Sequence, residues 1–179
     1  MAARGFLKLL EFAERARQRT LGLPVEGEQV EYWSGIGFRL LGHNFVATMG
    51  EVVEVLSIPR YTGVPGVQSW MRGLSNVRGR LLPIMDLPMY FNMESNIAES
   101  RRRVVVIDMQ DIFSGLVVDE VLGVQHFPVM DYRAEPEDGI MAGLRPYLQG
   151  AFWREGQYWS VFSLSRLIED PRFMQVSAA

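Results

Sequence analysis

The 179-residue chain contains no cysteine, which excludes disulfides, thiol catalysis and cysteine-ligated metal. Histidine is nearly as scarce. Only His43 and His126 occur, both at expected turns or strand ends, and neither has partners at metal-ligand or general-base spacing. No apolar run approaches the roughly 20 residues that span a bilayer. The N-terminal apolar residues are interrupted by Lys8, Glu11, Glu14 and Arg15. No secretory h-region results, and a soluble, cytoplasmic chain without direct membrane insertion is expected. No Gly-x-Gly-x-x-Gly follows a strand and opens a helix, and no Walker-type Gly-Lys-Ser/Thr is present. Strong charge of either sign is also missing. The formal net charge of −3 predicts neither a strongly basic nucleic-acid binder nor a strongly acidic mimic. Hydrophobic residues make up 48% and charged residues 22%, enough to bury the core of one domain or of two small lobes that share one.

Residues present in the chain organise it into three parts. Arg4 to Arg19 reads as an amphipathic helix, with Phe6, Leu9, Leu10, Ala13 and Ala16 at spacings of three and four. Its charges are five positive and two negative, so it suits an anionic membrane surface or, more simply, packing on the fold or on a partner. Residues 1–34 are therefore expected to be this helix and a polar linker. Short strands with turn signals follow over 35–170, and a fraying tail over 171–179. Strands are expected at Ile36–Leu41 and Phe45–Met49 around a Gly42-His43-Asn44 turn, while Glu51–Ile58 reads as strand or helical turn. Val67–Leu74 reads as a short helix and Arg80–Leu87 as a strand with Pro83 at an edge or bend. Val104–Met109 reads as a buried strand, followed by Phe113–Val118 and Val121–Phe127. A long loop over 128–143 precedes a last hairpin, Tyr147–Trp153 with Tyr158–Leu164, and a short terminal helix. The strands fall into two sets with a crossing region near 88–103, which indicates a mainly β fold of barrels or sandwiches.

The stretch Gly73 to Leu87 carries the strongest local signal. It places Ser75-Asn76-Val77-Arg78-Gly79 between apolar segments, and Asn76 and Gly79 tolerate the positive φ of a tight turn. Gly63, Gly66, Gly73 and Gly79 read as turn formers. Arg78 is then a guanidinium held in a fixed position, suited to carboxylates or carbonyls. It serves either as a partner contact or as a structural tie between lobes. The carboxylates Asp86, Asp108, Asp119 and Glu120 lie at strand ends, where turn and pairing roles outweigh a catalytic pair. Arg101-Arg102-Arg103 reads as a solvated face or an edge gatekeeper. Aromatic residues interleave poorly with it, so no nucleic-acid platform is expected. Trp70 and Met71, just ahead of the turn, read as core residues or as interface anchors.

Four segments together resemble the CheW-like adaptor family of bacterial chemosensory arrays, from about Ile36 to Asp170. They are Val52-Val53-Glu54-Val55, the run from Val64 to Leu87, Gly115 to Val121, and Tyr147 to Gly150 with Leu164 to Ile168. The resemblance implies two packed five-stranded SH3-like β-barrel lobes with an N-terminal and a short C-terminal helix. It implies no enzymatic activity and no cofactor. It also implies a scaffold that couples the cytoplasmic tip of chemoreceptors to the regulatory domain of a CheA-like histidine kinase, or alternatively a competitive regulator of the same sites. Carried over by position, Val52, Glu54, Asn76, Arg78 and Gly79 become first-lobe contacts, and Gly115 and Val121 second-lobe contacts near the receptor. The N-terminal extension, the bulky Phe152-Trp153, and Ser163 in place of the usual Asp resemble the type IV pilus, PilI-like, branch that feeds twitching motility.

Overall fold

The structure is a computed structural model that describes residues 30–178 and Glu11. The helix expected over Arg4–Arg19 lies outside the described residues. Strand β1 (Tyr32–Leu40) opens the fold and turns into β2 (His43–Thr48). The chain then builds β3 (Val52–Ser57), β4 (Met71–Val77) and β5 (Arg80–Asp86), a short helix α1 (Leu87–Tyr90), and the hairpin β6 (Arg103–Met109) with β7 (Ile112–Val118). It returns through β8 (Glu120–Pro128), β9 (Tyr132–Arg133), β10 (Leu148–Arg154) and β11 (Gln157–Phe162), and closes with α2 (Leu164–Glu169) and α3 (Pro171–Met174).

Two sheets result, one six-stranded in the order β8-β1-β2-β11-β10-β9, the other five-stranded in the order β3-β6-β7-β5-β4. They form two SH3-like lobes, the sixth strand being the two-residue β9. The expected division of the strands near 88–103 is wrong. The five-stranded lobe comes wholly from the middle of the chain, and the other is assembled from both ends. Its closure joins β2 to β11 in parallel, as β5 joins β7 in the five-stranded lobe. Neither parallel pairing is visible in local pattern, because its partners are far apart in sequence.

Alternation along the strands feeds three apolar clusters. In β6, Val104 and Val106 face the core of the five-stranded lobe, while Val105 and Ile107 face a larger core shared between the lobes. Burial on both faces explains its unbroken apolar run. Phe38, Leu40, Phe45 and Phe162 enter the shared core from the six-stranded lobe. Trp33, Phe127, Phe152 and Trp159 fill that lobe's own interior. Each fully buried large side chain contributes on the order of 1.5–3 kcal/mol.

Several local expectations are revised. Residues 32–34, read as linker, are the start of β1, and Trp33 is buried. Residues 71–74, read as helix, are strand β4, and Gly73 lies inside that strand rather than in a turn. Trp70 is a core residue. Pro83 lies in an internal strand, not at an edge. It is tolerated because its partner Leu74 directs both its N–H and C=O to Thr62 on the other side, so Pro83 owes β4 no donor. The 128–143 loop holds β9 and buries Ile140. The segment after Pro171 does not fray. Phe173 is buried and stacked on Trp70, and Val176 and Ala178 exchange backbone hydrogen bonds with Gln68 and Gly66.

Candidate functional site

The β4–β5 hairpin turns on two residues, Arg78 (φ 52°) and Gly79 (φ 81°). The twist of the flanking strands demands positive φ at both central positions. The left-handed strain therefore falls on Arg78 itself, and Asn76, expected to carry it, is in extended β4. Asn76 instead fixes the turn from within, its Oδ1 accepting the Gly79 N–H at 2.9 Å. Leu41, Gln110 and Glu155 hold the same left-handed first position in the other hairpins, so the strain at Arg78 follows from hairpin geometry.

From this turn the Arg78 side chain reaches across to β3, where Nη2 donates to Glu54 Oε1 at 2.5 Å. The two side chains are 78% and 24% exposed. Both belong to the five-stranded lobe. Among the described residues Arg78 therefore ties the β4–β5 turn to β3 within one lobe, not one lobe to the other. It is an exposed guanidinium that, among the described residues, is steered by one carboxylate. Beside it, Arg80 pairs with Asp108 at 2.8 Å and lies 3.7 Å over the Phe113 ring.

Strand β3 borders this turn as an edge of its sheet. Val52 and Glu54 point to the half-buried side, whereas Val53 and Val55 stand out with 54% and 40% exposure. The sequence reading named the alternate residues, because a one-residue shift of face is invisible without the pairing partner. An edge with exposed apolar side chains and an adjacent oriented cation offers main-chain pairing and contact area together.

The other candidates fall elsewhere. Gly115 is buried, and a Cβ there would lie 2.7 Å from Val104 Cγ1 and 3.2 Å from both Ile84 and Leu82. It is glycine because strand β7 packs that closely, and it offers no surface to a partner. Val121 sits on β8 of the six-stranded lobe, half-buried against the shared core. Glu54, Asn76, Arg78 and Gly79 are thus brought to one end of one lobe, with Val52 along the same strand. Gly115 is in the five-stranded lobe with them, not in the opposite lobe as expected, and only Val121 is across.

The structural arginine is Arg102, which the sequence places in an apparently solvated run. It is 5% exposed. Its two Nη atoms grip the two oxygens of Asp86, each at 3.0 Å. Asp86 is fully buried, also accepts from Arg72, and caps α1 through the Met89 N–H. Burial opposes the charge on Arg72, but Asp86 and Glu99 outweigh it and hold the guanidinium above its ordinary range. Asp119, 3.9 Å from Arg102, accepts the Leu41 N–H at 2.7 Å and so links this network to the β1–β2 turn of the other lobe. Asp108 and Glu120 pair with Arg80 and Arg39. All four carboxylates are pairing residues.

Glu51, between β2 and β3, was not singled out by sequence. It is 4% exposed, and its Oε2 has no partner among the described residues. Burial pushes its pKa to about 7, only partly offset by hydrogen bonds involving Thr48, Ser165 and Leu164. Ser163 caps α2 by accepting the Arg166 N–H at 3.2 Å, a role an aspartate performs equally well. Among the described residues no group of three or more His, Asp or Glu is placed to hold a metal, and no helix is long and apolar enough to cross a membrane. The hollow of about 560 Å³ between Ser57, Tyr61 and Glu99 is open to solvent.

Comparison with known proteins agrees with this architecture. The CheW-like domain matches residues 34–172. Protein PilI of Pseudomonas aeruginosa is 49% identical over 172 residues, covering 96% of each chain. Protein FrzA of Myxococcus xanthus is 27% identical over 159 residues, covering 88% of this chain and 96% of that one. The crystal structure of the scaffolding protein TtCheW from Thermoanaerobacter tengcongensis superposes with a TM-score of 0.64 at 19% identity, over 75% of this chain and 90% of that one.

Proposed function

The chain belongs to the CheW-like domain family, in its PilI-like branch, and on that premise we propose that it is a non-catalytic scaffold coupling chemoreceptors to a CheA-like histidine kinase. The proposed setting is the cytoplasmic face of a receptor array that controls type IV pilus twitching motility. The observation that carries the reading is the exposed edge of β3, Val53 and Val55, set beside the Arg78–Glu54 pair. An unpaired edge provides main-chain donors and acceptors for a partner strand, apolar side chains supply contact area, and an oriented arginine sets register and charge selectivity. The kinase regulatory domain is assigned to this edge. The receptor tip is assigned to a separate surface near Val121 on β8. Individually weak contacts suffice, because repetition in an array raises the effective affinity.

Reconstitution tests the proposal. The purified chain, the kinase regulatory domain and a receptor cytoplasmic fragment are combined, and kinase activity is followed with and without the chain. Formation of a ternary complex and receptor control of the kinase are expected. A folded chain that binds neither partner, or that binds the kinase while blocking receptor control, overturns the coupling assignment.

A further inference from the structure

We propose that Glu51 is a proton-controlled latch on the crossing between the lobes, holding β3 in place when its carboxyl is neutral and releasing it when the carboxyl ionises. Strand to strand, the chain passes from one sheet to the other twice among the described residues, through residues 49–51 between β2 and β3 and through Asp119 between β7 and β8. Each crossing carries a buried carboxylate. Asp119 engages both oxygens, since Oδ2 accepts the Leu41 N–H at 2.7 Å and Oδ1 accepts the Ser95 hydroxyl. At Glu51, Oε1 accepts the Ser165 hydroxyl of α2 at 3.4 Å, while Oε2 has no partner among the described residues. One crossing is fixed, and the other is held only in part.

Strand β3 begins at the next residue. Val52 packs against the shared core, and the register of β3 on β6 shifts between Val52 and Glu54, where two residues of β3 advance against one of β6. A bulge of this kind is a point at which a strand bends and re-aims its side chains. Glu54, just past it, holds Arg78. A displacement at Glu51 is therefore passed along three residues of chain to the Arg78–Glu54 pair, with the exposed Val53 and Val55 on the same strand.

An ionised carboxylate in this place has too few donors to replace water, so its charge favours movement outward to solvent. Burial raises the carboxyl to about 7, which puts the release in the neutral range. The closed crossing is favoured at acid pH, and opening gains as pH rises through that value. The charged groups on the surrounding elements are engaged elsewhere. On α2, Arg166 donates to the Leu148 carbonyl and Glu169 accepts from Gln110. On β3, Glu54 holds Arg78. His43, at the opposite end of β2, lies 3.3 Å from Glu137.

Control of binding by this latch rests on the assignment of the kinase regulatory domain to the β3 edge, so one arm of the test uses the full-length chain alone and the other adds that domain. Amide exchange over residues 49–56, corrected for its intrinsic pH dependence, is expected to speed up by as much as about tenfold per pH unit above pH 7, the slope of one released proton. Glu51→Gln, which keeps His43 and His126, is expected to abolish the slope. Ser165→Ala removes a hydrogen bond that lowers the Glu51 pKa. It is expected to move the onset to higher pH, and it decides the matter if Glu51→Gln does not fold. Binding of the kinase regulatory domain is expected to weaken about threefold from pH 6.5 to 8.5, as the competent fraction falls, and to stay level in Glu51→Gln. Exchange without the slope in the unaltered chain, or a slope that survives Glu51→Gln, overturns the latch. A slope in exchange beside pH-independent kinase binding overturns its control of the edge. A chain that shows the slope but binds no kinase domain at any pH overturns the coupling assignment and leaves the latch standing.

Discussion

Replacing Arg78 by alanine removes a guanidinium whose side chain is 78% exposed and which, among the described residues, pairs with Glu54. Such a pair is worth no more than about 1 kcal/mol, so thermal unfolding is expected to shift by only a few degrees. Binding to the kinase regulatory domain is expected to fall roughly tenfold, a loss of about 1.4 kcal/mol, measured by titration calorimetry. A loss of stability that tracks the loss of binding contradicts the contact role. Arg102→Ala has the opposite profile, because it strands the fully buried Asp86 carboxylate with one fewer guanidinium. Removing one partner of a buried pair costs roughly 3–5 kcal/mol, and denaturant midpoints are expected to show it. Glu51 gives a pH dependence. Its folded pKa of about 7 lies above its unfolded value of 4.5, so the folded state binds the extra proton between these limits. Stability from this group is therefore present at low pH and lost as pH rises from 4.5 through 7. Glu51→Gln is expected to flatten that slope and to stabilise the protein at pH 8 by roughly 1–3 kcal/mol, read from urea melts across pH.

The C-terminal segment shows how an element gains its structure from others. Four-residue α3 has little helical stability of its own. It is held because Asp170 caps it, Phe173 stacks on Trp70, and Arg172 lies 4.2 Å over the Tyr90 ring. Tyr147 donates to Asp170 at 2.5 Å. Burial and that hydrogen bond push the Tyr147 hydroxyl pKa upward, while the same bond holds the Asp170 carboxyl below its usual range. Phe173→Ala is expected to cost about 3–5 kcal/mol and to speed amide exchange at Gln68 and Ala178, whose N–H groups belong to the same strap. Exchange unchanged at those amides shows that the strap holds without its aromatic anchor.

At the scale of the whole molecule, the shared core makes the two lobes one cooperative unit, since Phe38 and Phe45 of one and Val105 and Leu116 of the other lie in a single cluster. Val52 of β3 packs against that cluster, whereas Val53 and Val55 stand exposed on the other side of the strand. A Val53→Glu, Val55→Glu pair is expected to leave the melting transition within a few degrees while lowering kinase binding at least tenfold, a change of about 1.4 kcal/mol or more. Loss of cooperative unfolding in this variant assigns the edge to the fold rather than to a partner.

The sequence by itself determined the β-rich class, most hairpins, the double-faced burial of β6 and the tight turn at Arg78, because each depends on residues close in the chain. Only the tertiary structure decided which arginine is exposed and which is buried. Arg102 carries no local mark of its fate, since Asp86 reaches it across 16 residues. The same holds for Gly115, whose tight packing against Val104 and Ile84 depends on strands meeting from afar. It holds too for the assembly of one lobe from both chain ends, which rests on the parallel pairing of β2 with β11. Local sequence sets φ, period and turn chemistry. Burial and ion pairing are set by which distant segments share a core, and the three-dimensional packing alone specifies that.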